Sequence, residues 1–405
     1  MKVIGEVRRG ARVRGLALAV AIVSMSMIAA ACSSGTPAGS AEATTSTPSA
    51  DGSSSTDGGP AAAIDAAYAE LVKGTWTAPP TEASPGVPGK NIMLISCGEA
   101  NDNCTDMGSG VKAAAKILGW NVKLCDGKLD PTAAQACFRQ AVSQKVDGIV
   151  NLAWDCPIVK APLQQAVDAG IKVIGVHAFD CGEINAGEKN LFNVPFNYGD
   201  LGKDQPSAWR AWGGAMGVAA LKAAKGGAII YPDDTAEFAS FKFMKEGWDA
   251  KVKELSPETK VVPLPWTVSE VGPKLEAKVQ AAILKNPDVT VVSAAVNPAL
   301  GFLNGVKQSG KAGKIAVVEG HGSVTEGDWV RNGEMATLIG WPNDWWGYGA
   351  LDALNSSFAG KPQGVIGIGF AIIDKEHNLY PSGQSFQGQG SGLDLAAAYS
   401  KRWGK

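Results

Sequence analysis

The chain has 405 residues, 45% of them hydrophobic, with 37 basic and 39 acidic side chains and a net charge of −2. That balance argues against a basic nucleic-acid-binding surface, so no nucleic-acid partner is expected. The length from residue 90 onward is too great for one small core and suits two lobes.

Residues 1–31 read as a lipoprotein signal peptide. Lys2, Arg8, Arg9, Arg12 and Arg14 precede an apolar run over 16–31, which is the length of a signal-peptide core and short for a membrane span. The run ends in Ala29-Ala30-Ala31-Cys32, which resembles a bacterial lipobox with Ala29 where leucine is usual. On that resemblance Cys32 is lipidated and becomes the mature N-terminus; cleavage after Ala-x-Ala without lipidation is the alternative. Residues 32–60 are nearly all Ser, Thr, Gly, Ala and Pro and read as a flexible tether. Residues 61–89 read as a short helix and a proline-rich linker. The expected location is therefore the outer face of the cytoplasmic membrane, held by the lipid anchor only.

Six further cysteines, Cys97, Cys104, Cys125, Cys137, Cys156 and Cys181, cluster early in the folded part. An even number in an oxidising compartment reads as a disulfide framework, and spacing predicts the sequential pairs Cys97–Cys104, Cys125–Cys137 and Cys156–Cys181. Zinc is the competing reading, but no Cys-x-x-Cys is present and the three histidines are scattered. No metal and no cofactor are expected.

From residue 91 the chain alternates short apolar runs with amphipathic stretches. Strands are predicted at 91–97, 121–125, 146–153 and 171–176, with helices at 108–119, 132–145 and 159–169. The pattern restarts with strands at 227–231, 260–264, 289–293 and 315–318 and helices at 239–255, 271–285 and 298–310. Near-continuous apolar strands separated by helices imply parallel sheets covered on both faces. Val146-Asp147-Gly148-Ile149-Val150 leading to Ala169-Gly170-Ile171-Lys172-Val173-Ile174 looks like a copy of Pro287-Asp288-Val289-Thr290-Val291-Val292 leading to Gly313-Lys314-Ile315-Ala316-Val317-Val318. The predicted fold class is α/β: two doubly wound parallel-sheet, Rossmann-like lobes with a ligand cleft between them.

The order of these pieces resembles the type 1 periplasmic binding proteins, the ribose- and galactose-binding group. Lys245-Glu246-Gly247-Trp248, Asn286-Pro287-Asp288, Ala336-Thr337-Leu338-Ile339 and Gly347-Tyr348-Gly349-Ala350 extend the likeness over roughly residues 90–373. The resemblance implies a three-crossing hinge near 193–196, 320–323 and 365–369. It divides the chain into an N-terminal lobe of 90–194 plus 322–366 and a C-terminal lobe with its tail, 195–321 plus 367–405. It also implies an ABC permease as partner, a small-molecule ligand and a monomer.

In open α/β sheets ligands bind beyond the carboxyl ends of the strands. Those ends offer Glu99, Asn101, Asp102, Trp154, Asp155, His177 and Asp180 in the first lobe. The second lobe offers Asp233, Phe238, Trp266, Asn297 and His321, and the hinge side Trp341, Asn343 and Asp344. Trp266 lies where galactose-type relatives place a ring-stacking aromatic, whereas Trp212 and Trp248 read as packing. His177 and His321 stand where sugar-binding relatives usually carry aspartate. Met244, Ala295-Val296 and Gly340 replace polar residues of those relatives, which points toward a less polar or aromatic ligand. The leading expectation is a solute-binding lipoprotein of an ABC importer, its ligand a sugar or sugar-like compound. The alternative is a surface sensor for an aromatic or nucleoside-like ligand. A secreted glycoside-active enzyme, using a pair among Glu99, Asp102, Asp155 and Asp180, is the least favoured reading. No Gly-x-Ser-x-Gly, His-Glu-x-x-His, Walker or Gly-x-Gly-x-x-Gly motif supports an enzyme, and no catalytic residue is expected.

Overall fold

The computed structural model describes residues 59–233, 238–294 and 299–405. The expected signal peptide, Cys32 and nearly all of the tether lie outside the described residues, as does Asn297.

Helix α1 (Pro60–Lys73) comes first, with proline at its start. The first lobe then alternates β1 (Asn91–Ser96), α2 (Asp102–Leu118), β2 (Asn121–Asp126), α3 (Pro131–Gln144), β3 (Gly148–Leu152), α4 (Cys156–Asp168), β4 (Lys172–Val176) and the short α5 (Cys181–Ile184). Its sheet is parallel, in the order β2-β1-β3-β4. Central β1 and β3 are buried almost throughout, whereas edge strand β2 is not, and that is why Lys123 is tolerated there. Helix α2 begins at Asp102, ahead of the apolar periodicity, because the Asn101 side chain accepts from the Asn103 and Cys104 amides at 3.0 and 3.3 Å. Gly119 ends it in the left-handed region at φ 72°.

The second lobe contains α6 (Gln205–Ala224), β5 (Ala228–Asp233), α7 (Ala239–Leu255), β6 (Val261–Pro265), α8 (Pro273–Lys285), β7 (Val289–Ser293), α9 (Ala299–Gln308), β8 (Ala316–His321), α10 (Val324–Asn332) and β9 (Thr337–Gly340). Helix α11 (Asn343–Phe358) returns to the first lobe and packs on α2; β10 (Ala371–Ile373) rejoins the second sheet, and α12 (Leu395–Arg402) follows. The second sheet runs β6-β5-β7-β8-β9-β10, parallel except for the last pair. Its β6-β5-β7-β8 part repeats the β2-β1-β3-β4 order of the first lobe. No helix among the described residues is long and apolar enough to cross a membrane.

Two boundaries differ from the expected division. Residues 322–340 stay with the second lobe, because β9 pairs with β8 from Val318↔Thr337 to His321↔Gly340. The second crossing thus falls after Gly340 rather than near 320–323. The tail does not remain on the second lobe either: Arg402 Nε donates to Asp352 Oδ1 of α11 at 2.6 Å, and the Trp403 indole donates to the same oxygen at 2.8 Å.

The expected linker is a strap. Lys222 of α6 pairs with Asp65 of α1 at 2.7 Å, which seats α1 on the second lobe. The chain then follows the hinge, Thr75 N donating to Phe370 O at 2.9 Å and Thr77 N to Gly367 O at 2.8 Å. It reaches the first lobe where Val87 N donates to Asn355 Oδ1 at 2.8 Å and the Trp120 indole to Val87 O at 2.6 Å.

All three disulfides are the sequential pairs, with separations of 7, 12 and 25 residues. Each closes a first-lobe loop and contributes roughly 2–4 kcal/mol.

Candidate functional site

The carboxyl ends of β4 and β8 face each other across the lobes, and each carries a histidine on strained backbone. His177 has φ 53° and His321 φ 130°. Such conformations cost about 1–3 kcal/mol each and concentrate at ligand sites. The two imidazoles stack with centroids 5.8 Å apart.

Four tryptophans enclose them. Trp346 of α11 and Trp209 of α6 meet the His177 ring edge-on at 4.8 and 5.2 Å. Trp212 lies 5.0 Å from His321, and Trp341, just past β9, lies 6.2 Å from His177 and 5.1 Å from Trp346. Phe179 and Phe243 close one side, their rings 5.0 Å apart. First-lobe residues His177, Phe179 and Trp346 thus meet second-lobe residues Trp209, Trp212, Phe243, His321 and Trp341, all of them buried.

The cluster is uncharged. Burial, reinforced by His321, holds the His177 pKa well below its ordinary value, and burial alone lowers His321 to about 3. Several polar atoms in it have no protein partner: the indole N–H groups of Trp209, Trp341 and Trp346, and one ring nitrogen on each histidine. A buried unpaired group costs about 1–3 kcal/mol; outside the cluster the Trp248 and Trp266 indoles are unpaired as well. By contrast, the Trp212 and Trp345 indoles donate to Ile339 O and Ile366 O, each at 2.9 Å.

Of the residues singled out in the sequence, His177, His321 and Trp341 lie in this cluster. Trp154 is turned into the first lobe, donating to Ser96 O at 3.2 Å. Asp180 accepts three backbone amides, from Cys181, Leu191 and Phe192, each at 2.8 Å, and so shapes the loop after β4. Asp155 accepts from Phe179 N at 2.9 Å and also from the Ala239 amide that opens α7 in the other lobe; burial raises its pKa to about 6 against those two bonds. Asn101 caps α2, and Asp102 at the rim accepts from Thr325 Oγ1 of α10 at 3.3 Å, joining the lobes. The Glu99 amide donates to Asp126 at 3.1 Å. Asp344 accepts from Ser109 at 2.7 Å, and Asn343 faces Asp106.

On the second lobe, Asp233 ends β5 half-buried, and exposed Phe238 meets Phe241 edge-on at 5.7 Å. Trp266 packs on Phe241 and Phe302 and lines, with Met216, Tyr231 and Met244, a cavity of about 10 Å³ that no residue of the cluster lines. A larger depression of about 570 Å³, lined by Lys225, Thr290, Lys307, Lys314 and Glu334, lies at the amino ends of β7 and β8, opposite the histidines. Sequence reading missed Trp209 and Trp346 and took Trp212 for packing. The available signal was the Trp209/Trp212 pair at i, i+3, which puts two large rings on one face of a Gly/Ala-rich helix.

The sequence profile of the periplasmic binding protein domain matches residues 92–362. No curated protein matches the chain. Among solved structures, GanP, a glucose-galactose binding protein from Geobacillus stearothermophilus, is similar at 18% identity and TM-score 0.60, covering 72% of this chain and 99% of its own. An Agrobacterium vitis ABC transporter solute-binding protein bound with α-D-tagatopyranose is similar at 22% identity and TM-score 0.60, covering 71% and 95%. An Actinobacillus succinogenes ABC transporter periplasmic solute-binding protein with bound D-allose is similar at 19% identity and TM-score 0.59, covering 71% and 98%. At these identities the structures establish the two-lobed fold, and the profile match over most of the folded chain establishes the family. This chain belongs to the periplasmic binding protein domain family.

Proposed function

We propose that the protein is an extracytoplasmic solute-binding lipoprotein of an ABC importer, anchored through Cys32 on the outer face of the cytoplasmic membrane. It captures one small solute between its lobes as a monomer, presents both lobes to a membrane permease, and performs no chemistry. The observation that carries this reading is the cluster around His177 and His321, built from both lobes at the strand ends where open α/β sheets bind ligands. Hinge closure would assemble it from two half-sites. The names of the similar structures, glucose-galactose binding and bound with tagatopyranose or allose, are the ground for a sugar or sugar-like solute, and the aromatic, uncharged lining of the cluster is the ground against it. Asp155 and Asp180 are committed to backbone amides, which weighs against a carboxylate pair working on a glycosidic bond.

Thermal melting of the mature, oxidised protein against monosaccharides, polyols, nucleosides and small aromatic acids tests capture. A ligand at about a hundred times its Kd adds roughly 2.7 kcal/mol and raises the midpoint by several degrees. A flat response to every compound, together with no compaction in solution scattering, would sink the reading. Membrane fractionation tests the anchor: Cys32→Ser is expected to shift the protein to the soluble fraction.

A further inference from the structure

The donors and acceptors in the cluster are unequal in number, and that inequality describes the solute. Trp209, Trp341 and Trp346 each hold an indole N–H with no protein acceptor, and an indole can only donate. His177 Nε2 and His321 Nδ1 add two further unpaired positions on neutral rings. Nearby carboxylates are otherwise engaged. Asp155 takes the Phe179 and Ala239 amides, Asp180 takes three amides, and Glu319, two residues before His321, bonds to Glu326. The unpaired positions of the cluster itself are therefore three indole donors and two neutral ring nitrogens, with no charge among them.

A monosaccharide has the opposite requirement. Each of its hydroxyls brings a proton that must find an acceptor when buried, a demand usually met by Asp, Glu or Asn side chains. The walls here are aromatic faces and edges, with Trp346 and Trp209 edge-on to His177 and Phe179 edge-on to Trp209. Rings in such arrangements accept another flat ring by stacking or edge contact.

We infer that the solute is planar, uncharged and rich in hydrogen-bond acceptors, with few donors of its own: a heteroaromatic or an aromatic carbonyl compound rather than a polyol. This rests on the reading of the cluster as the solute site. The indole N–H groups of Trp209, Trp341 and Trp346 set the specificity by meeting its carbonyl or ring-nitrogen acceptors. The neutral histidine pair stacks on its face.

The test uses the mature, disulfide-oxidised protein, its tryptophan fluorescence and its melting midpoint. The probes are caffeine and coumarin as planar donor-free compounds, D-galactose and D-allose as polyols, and benzoate as a planar anion. Saturable quenching and a raised midpoint with caffeine or coumarin, and none with the hexoses, support the inference. Trp346→Phe and Trp209→Phe keep a ring but lose the N–H, and are expected to weaken that binding about three- to tenfold each. Trp345→Phe, whose N–H is already used by Ile366 O, should leave it unchanged. Binding of the hexoses without the planar probes overturns the inference while leaving solute capture intact. Benzoate binding as tightly as the neutral probes overturns its uncharged part. Silence with all five overturns it outright, and the broader melting panel then decides whether solute capture falls as well.

Discussion

His177 and His321 differ from ordinary core histidines in three respects at once: positive φ, a stacked like partner, and a ring nitrogen without a bond. Their depressed pKa values also make them a pH liability. A histidine that is neutral when folded but protonates near 6.5 when unfolded contributes stability above 6.5, and that contribution is lost as pH falls toward the folded value, about 3 for His321. Between pH 7 and 5 the loss from His321 is about 2 kcal/mol, and His177 acts in the same direction. Asp155 works in the opposite sense. Its pKa is raised to about 6, so its contribution is lost as pH rises through that value. The histidine part is therefore read by difference: His321→Gln should reduce the wild-type loss on acidification by about 2 kcal/mol. Parallel melting profiles for the two proteins would contradict the assignment. The same scale explains the uneven fate of the sequence candidates. Strand ends marked His177 and His321 correctly as facing residues, but a sequence does not reveal that Asp180 and the Trp154 indole are consumed by their own backbone.

Each lobe contains a helix pair whose backbones meet at glycines. In the first lobe, Gly110 of α2 sits against the backbone of Asp344, and Gly347 of α11 against that of Val111 and Gly110. In the second, Gly213 of α6 meets Met244 of α7, and Gly247 meets Arg210. A Cβ at any of these positions would strike main-chain atoms, which cannot rotate away. Gly110→Ala is therefore expected to cost about 1–3 kcal/mol by urea unfolding, as overpacking does. Its effect should reach the cluster too, because α11 carries Trp346 only a short way from the contact. An unchanged midpoint would mean that the helices slide apart without penalty. The strand–helix alternation was legible in the apolar runs, and the start of α2 was not, since a cap and a disulfide rather than apolar spacing set it.

Two further chain segments join the lobes besides the hinge. The strap over residues 74–88 and the tail up to α12 both start on the second lobe and finish on the first. Both lie almost wholly outside the stretch matched by the family profile. Arg402 anchors the second of them through a buried pair with Asp352, and removing one member of such a pair typically costs 3–5 kcal/mol. Arg402→Ala is thus expected to lower the melting midpoint and to enlarge the radius of gyration of the free protein by loosening the tail. A lower midpoint at unchanged dimensions would confine α12 to stabilising the first lobe. The lobe boundary after Gly340 belongs to this scale as well: the apolar run at 337–340 suits either sheet, and only its pairing with β8 assigns it.

The sequence by itself determined the α/β class, the duplicated unit, the cysteine pairing and the two strand ends that face each other. All of these rest on local periodicity and short separations, which one chain carries in its own order. The tertiary structure alone decided which tryptophans surround the histidines, which carboxylates are spent, and where the straps run. Those outcomes depend on contacts that apolar periodicity does not encode, from Asp180 with Leu191 in the next loop to Trp212 with Ile339 and Arg402 with Glu82, more than a hundred positions apart.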